Sequence, residues 1–263
     1  MSEMDKEVYA WQRNTVWEMP PCNYCGCENP SFYLETPDKR FHGKPLRLVK
    51  CPKCGLIYAS PRPSTESYRQ VYRTLWAEWS RRFKYERPAV EGWHRDVILR
   101  AKKYRPDART LFDVGTGAGT ILIAGRRLGL RVAGNDINKP AVDWLRKRGY
   151  TVYNEPTKDV VSDEQYDLVT CLDYIEHTNT PFDDLKWITA HLKEGGVLYL
   201  KTMHLDSEAY KREGAGWHML AGFHTHYFYR DVLLSMIRDA GLETVWTKMD
   251  PEIIHIIAMN QSH

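Results

Sequence analysis

The chain has 263 residues, 43% of them hydrophobic and 12% aromatic, enough for a sizeable core or for one large and one small domain. Its 37 basic and 34 acidic residues leave a net charge of +3, which excludes a global nucleic-acid signature. No apolar run approaches the length of a membrane span, and Met1–Trp11 carries acids and lacks an apolar signal core, so the expectation is a cytoplasmic protein without a membrane span.

Residues 1–20 read as a polar N-terminal arm. Five of the six cysteines follow between Cys22 and Cys54, and in a reducing compartment such clustering favours metal over disulfides. Cys22-Asn23-Tyr24-Cys25-Gly26 and Cys51-Pro52-Lys53-Cys54-Gly55 form two Cys-x-x-Cys-Gly knuckles. Four thiolates from Cys22, Cys25, Cys51 and Cys54 suit a tetrahedral structural zinc, a closed site to which no chemistry is assigned. Cys27 reads as an onlooker, with replacement of Cys25 in an unusual turn as the alternative, and Cys171 reads as core packing. Phe32, Tyr33, Leu46, Leu48 and Val49 between the knuckles read as a hairpin, and Leu56–Ala59 as a third strand.

Two amphipathic helices come next. Tyr68, Val71, Tyr72, Leu75, Trp76, Trp79 and Phe83 recur at steps of three and four, and so do Val90, Trp93, Val97, Ile98 and Tyr104, with Pro88 expected to separate the two runs. From Arg109 the pattern alternates strand and helix: strands near 110–114, 131–135, 151–154, 167–172 and 196–201, helices near 118–128, 139–148 and 182–193. This alternation predicts a parallel sheet covered on both faces. Met203–Leu220 has little regular pattern and reads as an insertion forming a pocket wall. After a helix ending at Gly241, strands near 243–248 and 253–259 form a final hairpin.

The chemistry concentrates in Asp113-Val114-Gly115-Thr116-Gly117-Ala118-Gly119, a strand end, a glycine turn and a helix start. The glycines let a ligand approach the backbone, and ligands of open α/β sheets sit at the carboxyl ends of the strands. A dinucleotide fingerprint would place its third glycine at 120, where this chain has Thr120, and Asp113 would sit badly beside a pyrophosphate. An acid there suits a cationic ligand head, and Asp136, about twenty residues on, suits ribose hydroxyls.

Over 107–263 the chain resembles the class I S-adenosylmethionine-dependent methyltransferases. The resemblance rests on the Asp113–Gly119 loop, on Asp136, on the strand Tyr166–Asp173 and on Gly195-Gly196-Val197-Leu198-Tyr199-Leu200. It implies a Rossmann-like α/β sheet of seven strands, mostly parallel, with helices on both faces. It also implies a cofactor site of Asp113, Gly115, Gly117, Gly119, Asp136, Ile137, Asn138, Leu172 and Asp173 for S-adenosylmethionine, with adenine against the loop Asn154-Glu155-Pro156-Thr157. The cysteine segment resembles the zinc ribbon that precedes such cores in natural-product and surface-glycan methyltransferases. The expected organisation is an arm (1–20), a zinc ribbon (21–63), a helical lid or linker (64–106) and a methyltransferase core (107–263).

Glu176-His177 resembles the Glu-His pair of ubiquinone-pathway O-methyltransferases, in which Asp/Glu-x-x-Glu-His can hold a divalent metal. That resemblance implies a metal near Asp173, Glu176 and His177; the bland alternative is that the pair orients the next helix. A second group is Phe223-His224-Thr225-His226, where His224 or His226 could accept a proton from a hydroxyl. Sugar C-methyltransferases typically carry Tyr-His-Glu-His there. The missing tyrosine and glutamate put O-methylation ahead of C-methylation. The candidate catalytic set is therefore His226, His177, Glu176 and His224, acting on a small-molecule or glycan acceptor. An RNA methyltransferase is the alternative, because residues 81–109 are rich in Arg and Lys. A solvated helix face explains the same charges. A third reading is a non-enzymatic, cofactor-binding scaffold.

Overall fold

The computed structural model of the protein describes residues 15–37 and 43–261, the side chains of 74–91 excepted. Seven strands form the central sheet: β6 (Thr110–Val114), β7 (Arg131–Asn135), β8 (Thr151–Tyr153), β9 (Tyr166–Leu172), β10 (Leu192–Met203), β12 (Glu243–Met249) and β13 (Ile253–Met259). Their spatial order is β12-β13-β10-β9-β6-β7-β8. β8, β7, β6, β9 and β10 run parallel, and β13 pairs antiparallel with both β10 and β12.

Side-chain alternation along β6 explains the layering. Phe112 and Val114 face one side and pack with Trp187 and Ile188 of the helix Pro181–His191 and with Leu233, Met236 and Ile237 of the helix Arg230–Asp239. Leu111 faces the other side, among Val97, Ile98, Leu122, Val142 and Leu145 from three further helices. These lie in the long helix Thr65–Lys102, in Thr120–Arg127 and in Lys139–Arg146.

The long helix departs from the two-helix expectation, because its backbone runs unbroken past Pro88. A proline removes one amide donor and crowds the preceding turn. Here the ends are held, by Ser64 Oγ accepting from Ser67 N at 3.3 Å and by Val97, Ile98 and Ala101 buried on the sheet. Leu75, Trp76, Trp79 and Phe83 fall outside the described side chains. No described helix is long and apolar enough to cross a membrane.

The cysteine segment builds a smaller sheet from β2 (Ser31–Glu35), β3 (Arg47–Lys50) and β4 (Ile57–Ala59), joined on the β4 edge by β11 (His226–Tyr227). β11 belongs to the far end of the chain and pairs His226 with Tyr58 and Tyr227 with Ile57. Nearby, β1 (Trp17–Glu18) pairs with β5 (Arg62–Pro63). The segment 203–220 packs on this small sheet rather than walling the main cavity. Its Trp217 and Leu220 are buried with Leu46, Leu48 and Ile57, and Tyr210 shares a hydroxyl contact of 2.9 Å with Tyr33. The apolar faces of Trp217 and Leu220 account for that choice.

Candidate active site

β6 ends in Asp113, which is almost fully buried and accepts a hydrogen bond from Thr170 Oγ1 at 2.7 Å. Burial pushes its carboxyl up to about 7, so a cationic group beside it would restore the charge. The glycine turn follows. Gly115 has a φ of +69°, and a Cβ there would collide with the Tyr174 ring. Gly117, with a φ of +50°, donates its N–H to Asp136 Oδ2 at 2.7 Å. Asn138 N donates to the other oxygen, Oδ1, at 2.7 Å. Burial raises the Asp136 carboxyl as well. A carboxylate offers about four acceptor sites, so each oxygen keeps capacity for a ribose hydroxyl. Asn138 also caps the helix Lys139–Arg146 through Ala141 N at 3.3 Å.

A cavity of about 370 Å³ opens over this turn, lined by Gly115, Gly117, Asp136, Ile137 and Asn138 and by Pro156, Lys158 and Asp159. Tyr68 and Tyr72 of the long helix and the loop His177–Thr180 form its other walls. A smaller cavity of about 150 Å³ shares Gly115 and Gly117 and reaches Asp113, Leu172 and His94. The expected cofactor residues thus gather round one turn, except that Gly119 lines neither cavity and serves as the left-handed residue before the helix Thr120–Arg127. Of the expected adenine loop, Pro156 lines the larger cavity. Asn154 instead donates to the Asp136 carbonyl at 2.9 Å.

The segment after β9 carries the second half of the site. Asp173 lines the cavity with a φ of +49°, an uncommon conformation for a residue with a side chain. Its carboxylate pairs with Lys201 Nζ at 2.6 Å. Glu176 is buried and accepts from Thr202 Oγ1 at 2.8 Å; burial, with Asp173 nearby, raises its carboxyl to about 7. His177 lines the cavity, and its Nδ1–H donates to the Phe223 carbonyl at 2.9 Å, which leaves Nε2 as the acceptor nitrogen. Burial lowers its pKa, so the ring is neutral at pH 7. His224 donates Nδ1–H to the Met219 carbonyl at 2.7 Å and meets His177 edge-on, with ring centroids 4.7 Å apart.

Glu176, His177 and His224 each present a ligand atom, all within 4.8 Å of one another. Asp173 is outside that group and pairs with Lys201 instead; His224 completes the trio in its place. His226 is placed differently. It is fully buried in β11, donates Nδ1–H to the Thr178 carbonyl at 2.9 Å and lies 3.2 Å from Arg62 Nη1 through Nε2, and it does not line the cavity. His204 and His218 also lie away from it.

Several contributors carry weak sequence signals. Asp184, buried in the first turn of the helix Pro181–His191, accepts from Thr178 Oγ1 at 2.6 Å, Tyr174 Oη at 3.1 Å and Lys158 N at 3.0 Å. It ties together Lys158, Tyr174 and Thr178, which all line the cavity, and burial raises its carboxyl to about 6. An acid following a proline at a helix start was the available signal. Asn179 and Arg62 offered none.

In the ribbon, Cys22, Cys25, Cys51 and Cys54 converge, with sulfur separations of 3.5 Å for Cys22–Cys54 and 3.4 Å for Cys25–Cys51. Each knuckle is closed by a backbone bond, Gly26 N to the Cys22 carbonyl at 2.8 Å and Gly55 N to the Cys51 carbonyl at 2.9 Å. Four sulfur donors in two such turns fit a tetrahedral zinc ion. Cys27 and Cys171 are buried outside the group.

The basic stretch is largely engaged where it is described. Arg95 pairs with Asp96 at 3.3 Å, Arg100 lies over the Trp246 ring at 5.1 Å, and Arg105 pairs with Asp167 at 3.2 Å. Arg81, Arg82, Lys84 and Arg87 fall outside the described side chains.

Comparison with known proteins bears on the fold and the family. The solved structures that resemble it include an S-adenosylmethionine-bound amino pentose methyltransferase from Micromonospora echinaspora (TM-score 0.53, 18% identity, 65% of this chain and 92% of that one). Another is the 1,6-didemethyltoxoflavin-N1-methyltransferase of Burkholderia thailandensis with bound S-adenosylhomocysteine (TM-score 0.57, 15% identity, 81% and 98%). The fold is that of S-adenosylmethionine-dependent methyltransferases. Residues 79–247 match the methyltransferase domain family, and the chain belongs to that family. Among curated proteins, the ubiquinone biosynthesis O-methyltransferase of Actinobacillus pleuropneumoniae serotype 7 (strain AP76) is 31% identical over 153 residues, 48% of this chain and 65% of that protein. The protein of the same name from Pseudomonas paraeruginosa (strain DSM 24068 / PA7) is 29% identical over 150 residues, 51% and 65%. The chain thus spans less than two thirds of the length of these relatives.

Proposed function

We propose that the protein transfers the methyl group of S-adenosylmethionine to an oxygen of a small molecule or glycan precursor, with His177 as the proton acceptor. The observation that carries this reading is the His177 imidazole: neutral, fixed in one tautomer by Phe223, and lining the cavity that also holds Asp136 and the glycine turn. When bound, the cofactor supplies an electrophilic methyl group on a sulfonium. Asp113 would neutralise its ammonium group, and Asp136 would take its ribose hydroxyls. His177 Nε2 would receive the acceptor's hydroxyl proton. The names of the curated relatives support oxygen as the acceptor atom. Residues 22–54 would hold a structural zinc and shape the acceptor side.

A second reading of the same cluster is favoured by one observation. His177 and His224 both give Nδ1–H to backbone carbonyls, the usual support of metal-ligating imidazoles, and Glu176 lies within reach. On that reading a divalent metal would orient the acceptor oxygen. The two readings part on metal content: E176Q should leave metal stoichiometry unchanged if His177 acts as a simple base, and should remove one equivalent if it is a ligand.

Calorimetry with S-adenosylhomocysteine, followed by mass spectrometry of candidate acceptors incubated with S-adenosylmethionine, tests the proposal. A protein that binds no S-adenosylhomocysteine would end it.

A further inference from the structure

Arg62 is a charged side chain buried where the small sheet meets the cavity loop; 4% of it is exposed. Its Nε donates to Glu18 Oε1 at 2.9 Å and its Nη2 to the Asn179 carbonyl at 2.9 Å. Its Nη1 lies 3.2 Å from His226 Nε2. His226 in turn donates Nδ1–H to the Thr178 carbonyl, which also accepts from Thr225 Oγ1 at 2.9 Å. Thr225 N reaches the Glu176 carbonyl at 2.7 Å, and His226 N reaches it at 3.1 Å. Three of the four carbonyls from Glu176 to Asn179 are therefore held by Arg62, by His226 that Arg62 contacts, or by its neighbour Thr225. The one side chain of this stretch with a free ring nitrogen, His177, faces the cavity between them.

Asn179 sharpens the point. Its Nδ2 donates to the Pro63 carbonyl at 3.0 Å and to Glu18 Oε1 at 3.3 Å, which fixes the orientation of the amide. Its Oδ1 is buried without a hydrogen-bond partner, in a residue that lines the cavity. An unpaired buried carbonyl is costly, so it persists only where its surroundings impose it. Those surroundings are Glu18, Arg62 and Pro63, all from the two-stranded ribbon beside the cysteine segment.

We propose that Arg62 is a positioning residue for methyl transfer: it sets the register of the Glu176–Thr180 loop, so that His177 and Asn179 are presented to the acceptor by the cysteine-bearing part of the chain. It touches neither cavity and acts through backbone carbonyls. A general structural role would spread over the sheet, whereas these contacts end on one loop. The proposal rests on the methyltransferase reading for its purpose, though not for its geometry.

The test uses the full chain as purified, compared with R62M and R62K. Hydrogen–deuterium exchange needs no cofactor. In R62M the amides of 176–180 should exchange about tenfold faster or more, with the β6, β9 and β10 amides unchanged, and R62K should fall between. Bound [methyl-13C]S-adenosylmethionine supplies the functional signature. Its affinity should stay within about twofold of wild type while its methyl resonance shifts in R62M and returns toward wild type in R62K. Unchanged exchange at 176–180, a uniform rise across the central sheet, or a methyl resonance identical in all three proteins would overturn the proposal. If R62M does not fold, R62K decides alone, since lysine keeps the charge and cannot span both Asn179 and His226. A wild-type protein that fails to bind the labelled cofactor would sink the methyltransferase reading and, with it, the functional part of the proposal; the exchange data would then judge the loop register by themselves.

Discussion

His177 and Phe223 are joined by one hydrogen bond, 2.9 Å from Nδ1–H to a backbone carbonyl, and it determines which nitrogen of the ring is available. A ring held in that tautomer carries its lone pair on Nε2. His177→Asn keeps a polar group of similar reach without that basic nitrogen. We expect turnover to fall by roughly 10²–10⁴-fold, the usual worth of a positioned general base, with S-adenosylhomocysteine affinity little changed. Full activity in H177N would remove His177 from the chemistry.

Cofactor affinity should depend on pH through Asp113. Its carboxyl, pushed up to about 7 by burial, must be ionised to receive an ammonium group. Below about pH 7 binding must expel a proton, so affinity should rise by up to tenfold per pH unit up to that point and level off above it. Calorimetry between pH 5.5 and 8.5, in buffers of differing ionisation heat, reads both the slope and the proton release. The same shift has the opposite sign for the free protein. Folded Asp113 and Glu176 hold protons that the unfolded chain has lost between about pH 4 and 7, so these two groups make the apoprotein less stable as pH rises through that window. A flat affinity profile together with no such trend in urea midpoints would contradict the burial argument.

Gly115→Ala should damage the site without touching a charge. The new methyl group meets the Tyr174 ring, and the φ of +69° disfavours any Cβ. The combined cost is about 1–3 kcal/mol, which we expect to appear as loss of cofactor affinity and a lower Tm. Wild-type calorimetry from G115A would show that the turn is more compliant than its geometry indicates.

Cys51→Ser removes one of four converging sulfurs and should abolish stoichiometric zinc, measured by atomic emission. Loss of about 2–3 kcal/mol would lower Tm by roughly 4–6 °C in a chain of this size. Because β4 pairs with β11, exchange should also rise at His226 and Tyr227. Zinc retained at one equivalent in C51S would argue for a different ligand set.

The strands β6 and β7 were legible to the residue, since each is a short apolar run bounded by glycine or acid, and both are buried on two faces. The turn and Asp136 were equally legible, because their spacing is local. What sequence could not reveal is contact between remote segments. β11 is two residues long and takes its partner from Ile57 and Tyr58, so no periodicity marks it. The same blindness made His226 look like a cavity residue. A pair of histidines one residue apart in an extended segment must face opposite ways, and only the sheet decides that His224 meets His177 while His226 turns to Arg62. Pro88 misled for a complementary reason: local propensity argued for a break that anchoring at both helix ends overrides.

Arg62 and His226 stand 164 positions apart in sequence. On a ribosome, the cysteine knuckles emerge well before β11, so the sheet they belong to stays one strand short until synthesis has passed Tyr227. Until then β4 is an open edge that carries apolar Ile57 and Tyr58, the kind of edge that recruits strands from other chains. A fragment ending near residue 106 would carry that edge permanently, and a fragment beginning there would lack the partner that holds His226 in place. Cutting the protein at its most obvious sequence boundary should therefore yield two sticky pieces, and co-expressing them should recover a soluble complex.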